Sequence, residues 1–238
     1  PALVKQGFKG PVLATQGTRD LAEVLLLDSA HLQEEDARRA NRGGWSRHAP
    51  ALPLYGVADA KRAIARIQVL PAGRSLRFGD LTVDLTPGGH LLGASWVGLR
   101  AGGRRLVFSG DVGRQNDLLM PPPQRIRQAD ALIVESTYGN RTHPTEDAAA
   151  RLADIITRTI ERGGSVLLPT FAVGRAQALL LVLQRLRRSG AIPPELPIFV
   201  DSPMAVAATA LYRQYGKLLR VPPREIRGLA DGVRMVET

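Results

Sequence analysis

Arg104-Arg105-Leu106-Val107-Phe108-Ser109-Gly110-Asp111 decides how this chain is read, because an apolar strand that stops on Ser-Gly-Asp presents a carboxylate at its end. Upstream, Leu81, Val83 and Leu85 alternate with Thr82, Asp84 and Thr86, the period of a half-buried strand, and the run leads into Pro87-Gly88-Gly89-His90. Between the two, Ala94 to Arg100 and Arg104 to Phe108 read as a hairpin closed by Gly102-Gly103, a pair able to take positive φ. Downstream, the apolar run Ala131-Leu132-Ile133-Val134 ends on Glu135. Open sheets bind ligands at the carboxyl ends of their strands. An imidazole and carboxylates recurring there are the donor types of zinc or another divalent ion. Each also has a plainer use: His90 in loop packing, Asp111 in an Asx turn or helix cap, Glu135 as the cap of the turn at Ser136-Thr137.

Composition bounds what such a site can be. The 238 residues suffice for one large domain or two small ones, 44% of them are apolar, and Cys is absent. Any metal must therefore be held by His, Asp or Glu, and no disulfide framework is available. Missing cysteines fit a reducing, cytoplasmic setting. Apolar runs fall short of the roughly 18 residues of a membrane span, so a soluble protein is expected. Lys and Arg outnumber Asp and Glu by 32 to 22, a net charge of +10 that favours a polyanionic partner such as nucleic acid. Arg185, Arg187 and Arg188 read instead as a solvated helix face.

Outward from the strand ends, Val12-Leu13-Ala14 reads as a short buried strand. Thr18 is placed to cap a helix running to about Ala40, with Leu21, Val24, Leu25 and Leu32 at helical spacing. A Gly- and Pro-containing loop covers 42–53 and a second helix 57–66. The segment Leu118 to Arg127, with Pro121-Pro122-Pro123, is a stiff connector that can be neither helix interior nor central strand. From Thr145 onward the pattern becomes helix (146–162), strand (Val166–Leu168), helix (174–188), strand (Ile198–Val200) and helix (203–215), the alternation of a parallel α/β layer. A domain boundary is expected near residue 145. Pro1 brings no initiator Met, basic leader or cleavage pattern, and the chain stops on the apolar run 233–236, so it reads as an excerpt of a longer protein.

Taken together, Gly88-Gly89-His90-Leu91-Leu92-Gly93-Ala94-Ser95, Phe108-Ser109-Gly110-Asp111-Val112-Gly113-Arg114 and Val134-Glu135-Ser136-Thr137-Tyr138-Gly139 resemble successive motifs of the β-CASP branch of the metallo-β-lactamase-fold hydrolases. Pro169-Thr170-Phe171-Ala172-Val173-Gly174-Arg175-Ala176-Gln177 and Val200-Asp201-Ser202-Pro203-Met204-Ala205 are similar to the opening of the inserted β-CASP domain of RNA-processing members. The likeness takes in Gly7-Phe8-Lys9-Gly10-Pro11 and Asp28-Ser29-Ala30-His31-Leu32-Gln33-Glu34, and so nearly the whole chain. It lies nearest the prokaryotic ribonucleases related to the endonuclease subunit of the eukaryotic cleavage and polyadenylation machinery.

The resemblance implies an α/β fold: a partial metallo-β-lactamase αββα sandwich over 1–145, lacking its N-terminal strands and metal motif, followed by the start of an inserted β-CASP α/β domain over 146–238. It implies a nuclease, endo- or exonucleolytic, in which two zinc ions act on an RNA phosphodiester. His90 would ligate one zinc and Asp111 would bridge both. Glu135 would orient a later His that protonates the leaving oxygen. Thr170, Arg175 and Ser202 are candidates for RNA-backbone contacts, with Arg175 near a helix N-terminus where anions are favoured; for Arg175 and Gln177 the competing reading is domain-interface packing. RNA is the expected partner, with no membrane, and a homodimer is compatible with the resemblance. The family's His-x-His-x-Asp-His motif occurs nowhere in the chain, and His31, His48 and His143 match none of its other motifs, so they read as structural or surface residues. The expectation is that this chain alone binds zinc poorly and does not cleave RNA. A non-catalytic β-CASP relative that binds RNA or scaffolds a complex, and a small-molecule hydrolase of the same fold, are the alternatives.

Overall fold

The computed structural model describes residues 1–142 and 146–236 and divides the chain into two compact units. The first comprises Pro1–Asp111 with Pro123–Ile133, and the second Val112–Pro122 with the chain from Val134 onward. The boundary expected near residue 145, like His143, lies outside the described residues.

The first unit begins with α1 (Ala2–Lys5), β1 (Val12–Ala14) and the long α2 (Gln16–Gly43), then α3 (Val57–Ile64), which ends two residues earlier than its pattern suggests, and β2 (Ile67–Val69), which pairs parallel with β1. Helix α2 is capped by Thr15 and not by Thr18. Thr15 has extended backbone angles and its hydroxyl accepts from the Thr18 amide, so Thr18 is the residue being capped. The helix runs on to Gly43 because Gly44, at φ 64°, supplies the left-handed turn that ends it.

A five-stranded sheet follows in the order β3 (Ser75–Phe78), β4 (Leu81–Pro87), β5 (Ser95–Ala101), β6 (Arg104–Phe108), β7 (Ala131–Ile133). The first three pairings are antiparallel and β6–β7 is parallel. Gly102 and Gly103 turn the β5–β6 hairpin at φ 54° and 71°, and Ala101 faces Arg104 in register. Period-2 alternation puts Asp84 on the solvated face, but the sheet encloses it. Its carboxylate lies 3.1 Å from the Arg105 guanidinium and 3.7 Å from that of Arg100, and Gly98 opposite leaves it room, since a Cβ there would come within 2.6 Å of Oδ2. A carboxylate removed from water needs such partners. Leu85, Leu92 and Val107 are buried in this unit.

The second unit contains α4 (Ala148–Glu161), α5 (Arg175–Arg188), β8 (Ile198–Asp201), α6 (Pro203–Gln214), a 3₁₀ turn (Gly216–Leu218), α7 (Pro223–Arg227) and β9 (Val233–Val236), which lies parallel to β8. Asp147 caps α4 by accepting from the Ala149 and Ala150 amides. The buried face of α4, Ala153 and Ile156, packs with Leu183, Leu186 and Ile192. Each of these Ile and Leu side chains contributes roughly 1.5–3 kcal/mol when fully buried. The strand expected at Val166–Leu168 does not form: the segment makes no ladder among the described residues, and Leu167 is 89% exposed. An apolar triplet is a strand only when a neighbour takes its amides and carbonyls, and β8 takes β9.

Gln177 is fully buried in this unit, where its oxygen accepts from the Gly174 amide and its nitrogen reaches Ala172 O, Ala205 O and Thr209 Oγ1. It ties the start of α5 to α6, which is a packing role. Gln177→Ala strands these groups without water and should destabilise the protein by about 2–3 kcal/mol in urea unfolding. A loss below about 0.5 kcal/mol would remove Gln177 from this role.

Candidate functional site

His90 and Asp111 converge. Nε2 of His90 and Oδ2 of Asp111 are 3.9 Å apart, and both side chains reach solvent, 43% and 71% exposed. The separation exceeds a hydrogen bond but suits two donors to one ion, since bond lengths of about 2.0–2.1 Å allow donors up to about 4.2 Å apart.

The backbone under His90 is held from two sides. Gly88 N–H donates to Ala94 O at 2.8 Å, closing the 88–94 loop on itself. Gly93 O accepts from Thr15 Oγ1 at 2.8 Å and from Ser95 Oγ at 3.0 Å. Gly93 sits at φ 82° against the first turn of α2, and Leu92, 1% exposed, packs over Gly17, where a Cβ would come within 2.9 Å of its Cγ. The capping residue of α2 thus also anchors the loop that carries His90. Pattern reading missed this clamp; the local signal was Thr15 three residues ahead of Thr18, with Gly17 between them.

Asp111 follows the buried Ser109, whose amide donates to Ile133 O and extends the β6–β7 alignment, and Gly110, which turns the chain at φ 54°. The turn leaves the carboxylate of Asp111 free of the sheet. Glu135 belongs to the second unit, where Oε1 accepts from the Val112 amide at 3.0 Å and Oε2 from the Thr137 amide at 3.1 Å. The turn-capping use of Glu135 is therefore present, and the same side chain also fixes the residue that follows Asp111 in the chain.

Of the proposed RNA-contact residues, Thr170 and Ser202 line one largely apolar cavity of about 750 Å³ in the second unit, whereas Arg175 is an exposed first residue of α5. Ser202 Oγ is engaged at 3.2 Å by the Ala205 amide as the cap of α6. His31 and His48 are exposed, as surface residues should be.

In kind, the imidazole and carboxylate at 90 and 111 suit zinc. In number they do not complete a site: zinc takes three or four protein ligands, and no group of three or more His, Cys, Asp or Glu is assembled among the described residues. No helix among them is long and apolar enough to cross a membrane.

A mixed α/β chain with an imidazole and a carboxylate meeting beyond strand ends defines the class, a partial metallo-β-lactamase-type sheet followed by further α/β structure. Comparison with known proteins narrows it. A Beta-Casp domain model matches residues 176–238. Ribonuclease TTHA0252 of Thermus thermophilus is 34% identical over 235 residues, 98% of this chain and 48% of that protein. Transcription termination factor FttA of Pyrococcus horikoshii is 34% identical over 225 residues, 92% of this chain and 32% of the factor. Endoribonuclease YSH1 of Yarrowia lipolytica is 32% identical over 216 residues, 89% of this chain and 24% of the enzyme. The Beta-Casp match takes in the C-terminal part of the chain, and the chain spans about half or less of the length of these relatives.

Proposed function

We propose that the whole protein is an RNA-processing nuclease that hydrolyses phosphodiester bonds at a zinc centre to which His90 and Asp111 contribute. The observation that carries this reading is the approach of His90 Nε2 to Asp111 Oδ2 at 3.9 Å, in an exposed position that a polymeric substrate can reach. Relatives named as a ribonuclease and an endoribonuclease, and the net charge of +10, support RNA as the substrate. A metal centre there would supply Lewis acidity and an activated water. This chain's residues hold donors in place: the loop clamp fixes His90, the turn at Gly110 frees Asp111, and Glu135 pins the Val112 backbone. We read residues 1–145 as the metallo-β-lactamase-like part and 146–238 as the beginning of the β-CASP part. Arg175 is the RNA-contact candidate with a free position for that role. Ser202 is better explained as a helix cap.

Two ligands are too few for tight zinc, so the reading separates the whole protein from this chain. Elemental analysis of the purified 238-residue chain should find zinc well below one ion per molecule, and the chain should leave labelled RNA uncut. The whole protein should cleave the same RNA and lose that activity to a chelator. Chelator-insensitive cleavage, or none, by the whole protein would overturn the proposal and favour a non-catalytic RNA-binding relative.

A further inference from the structure

We propose that the C-terminal end of α2 and the loop that follows it, residues 38–54, form a second binding surface for single-stranded RNA, with Trp45 as its base-stacking platform. The inference rests on the reading of RNA as partner and adds a site that the pair at 90 and 111 does not include.

Charge comes first. Arg38, Arg39, Arg42 and Arg47 lie within ten residues, all exposed, and no Asp or Glu occurs between Asp36 and Asp59. On α2, positions 38 and 42 share a face at i,i+4 spacing, and 39 and 42 are neighbours at i,i+3. Arg39 is partly neutralised by Glu35 at 2.5 Å, and Arg38 Nε donates to Glu34 O. Arg42 and Arg47 carry no ion pair among the described residues.

The aromatic group comes second. Trp45 is 69% exposed, although an indole is costly to leave in water. Its position is built: Gly44 ends α2 at φ 64°, and the pyrrole edge of the ring lies against Gly43, where a Cβ would overlap Cδ1 and come within 2.5 Å of Nε1. The loop is held to the helix by Asn41, whose side chain donates to Ala51 O at 2.9 Å and accepts from Ala51 N at 2.7 Å. Ala40, Trp45, Leu52 and Leu54 form a shallow apolar groove in this unit, with Asp36 also on its lining. A solvent-exposed indole on a fixed loop, interleaved with unpaired guanidinium groups, is the combination that binds unstacked bases and their phosphates. An apolar protein partner would also use Trp45, Leu52 and Leu54, but it gives no reason for four Arg without an intervening carboxylate.

The test is anisotropy of a fluorescein-labelled twelve-nucleotide oligo(U) with the intact chain over a range of salt concentrations, with thermal melts to confirm folding. Trp45→Ala should weaken binding about tenfold or more, while Trp45→Phe, which keeps a stacking face, should stay within about threefold. Gly43→Val, which displaces the ring without removing it, should behave like Trp45→Ala. Arg42→Ala with Arg47→Ala should reduce the slope of log affinity against log salt by about 1.4, from about 0.7 per phosphate contact on single strands. RNA affinity within about twofold of wild type for a folded Trp45→Ala protein would overturn the proposal. So would dissociation of an oligomer by that variant with RNA binding intact, which would make the patch a protein interface. Absence of any oligo(U) binding by the wild-type chain at low salt would overturn this site, while cleavage of RNA by the whole protein remains the separate test of the proposed function.

Discussion

Asp111→Asn in the whole protein should lower RNA cleavage by about a hundredfold or more, a loss at least as large as that typical of groups that only orient a metal's ligands. The substitution keeps the shape of the side chain and removes its negative charge, the property that the proposed metal centre would draw on. Folding should be untouched, because the side chain is 71% exposed and stands beyond the last ladder residue of β6. Exposed substitutions of this kind usually change stability by less than about 0.5 kcal/mol. Cleavage rates and urea unfolding of the same preparation check both halves of the prediction. A variant retaining more than about a tenth of wild-type cleavage would show that the charge at 111 is dispensable and that the approach of His90 and Asp111 is incidental.

Gly93→Ala should produce the largest loss of stability among single methyl additions in the first unit. At φ 82° an L residue pays about 1–2 kcal/mol for the left-handed conformation. The added methyl would also overlap the Thr18 amide nitrogen and stand 2.5 Å from Thr15 Oγ1 and 2.8 Å from the Gly17 carbonyl carbon. These are backbone and capping atoms of a 28-residue helix, so they cannot yield as a flexible side chain would. A total cost of about 3 kcal/mol or more is expected. Gly103→Ala is the control: its φ is 71°, but nothing lies within 4 Å of the new methyl, so only the conformational part, about 1–2 kcal/mol, should appear. Equal urea midpoints for the two variants would show that the contact between the His90 loop and α2 is not tight. Because the same contact holds the backbone under His90, Gly93→Ala should also lower cleavage by the whole protein even under conditions where it remains folded.

The strands that carry His90 and Asp111 were legible from local patterning. Alternation over Leu81 to Leu85, the Gly102-Gly103 turn and the apolar run to Phe108 each state their own conformation within a few residues. The termination of each strand by Gly next to a donor residue is likewise local, and so are the helices of the second unit, whose 3.6-residue period survives any change of neighbours. Boundaries and roles were less accessible. Thr15 and Thr18 are both good capping residues, and only the placement of α2 against Gly93 selects Thr15. Asp84 alternates like a surface residue, and only the strand register brings Arg100 and Arg105 to it.

By itself the sequence determined the types of the longer helices and of the strands that lead to His90 and Asp111, the order of the donor residues along the chain and the family they resemble, since each depends on side-chain period, turn chemistry or motif and not on distant contacts. Tertiary structure decided which donors meet. His90 and Asp111 are 21 positions apart and come within 3.9 Å because a hairpin folds back between them, whereas Val166–Leu168 carries a strand-like sequence and takes no ladder partner. The physical reason is the same in both cases: a carboxylate becomes a metal-ligand candidate, and an apolar triplet becomes a strand, only when another part of the chain supplies the second donor or the second row of amides.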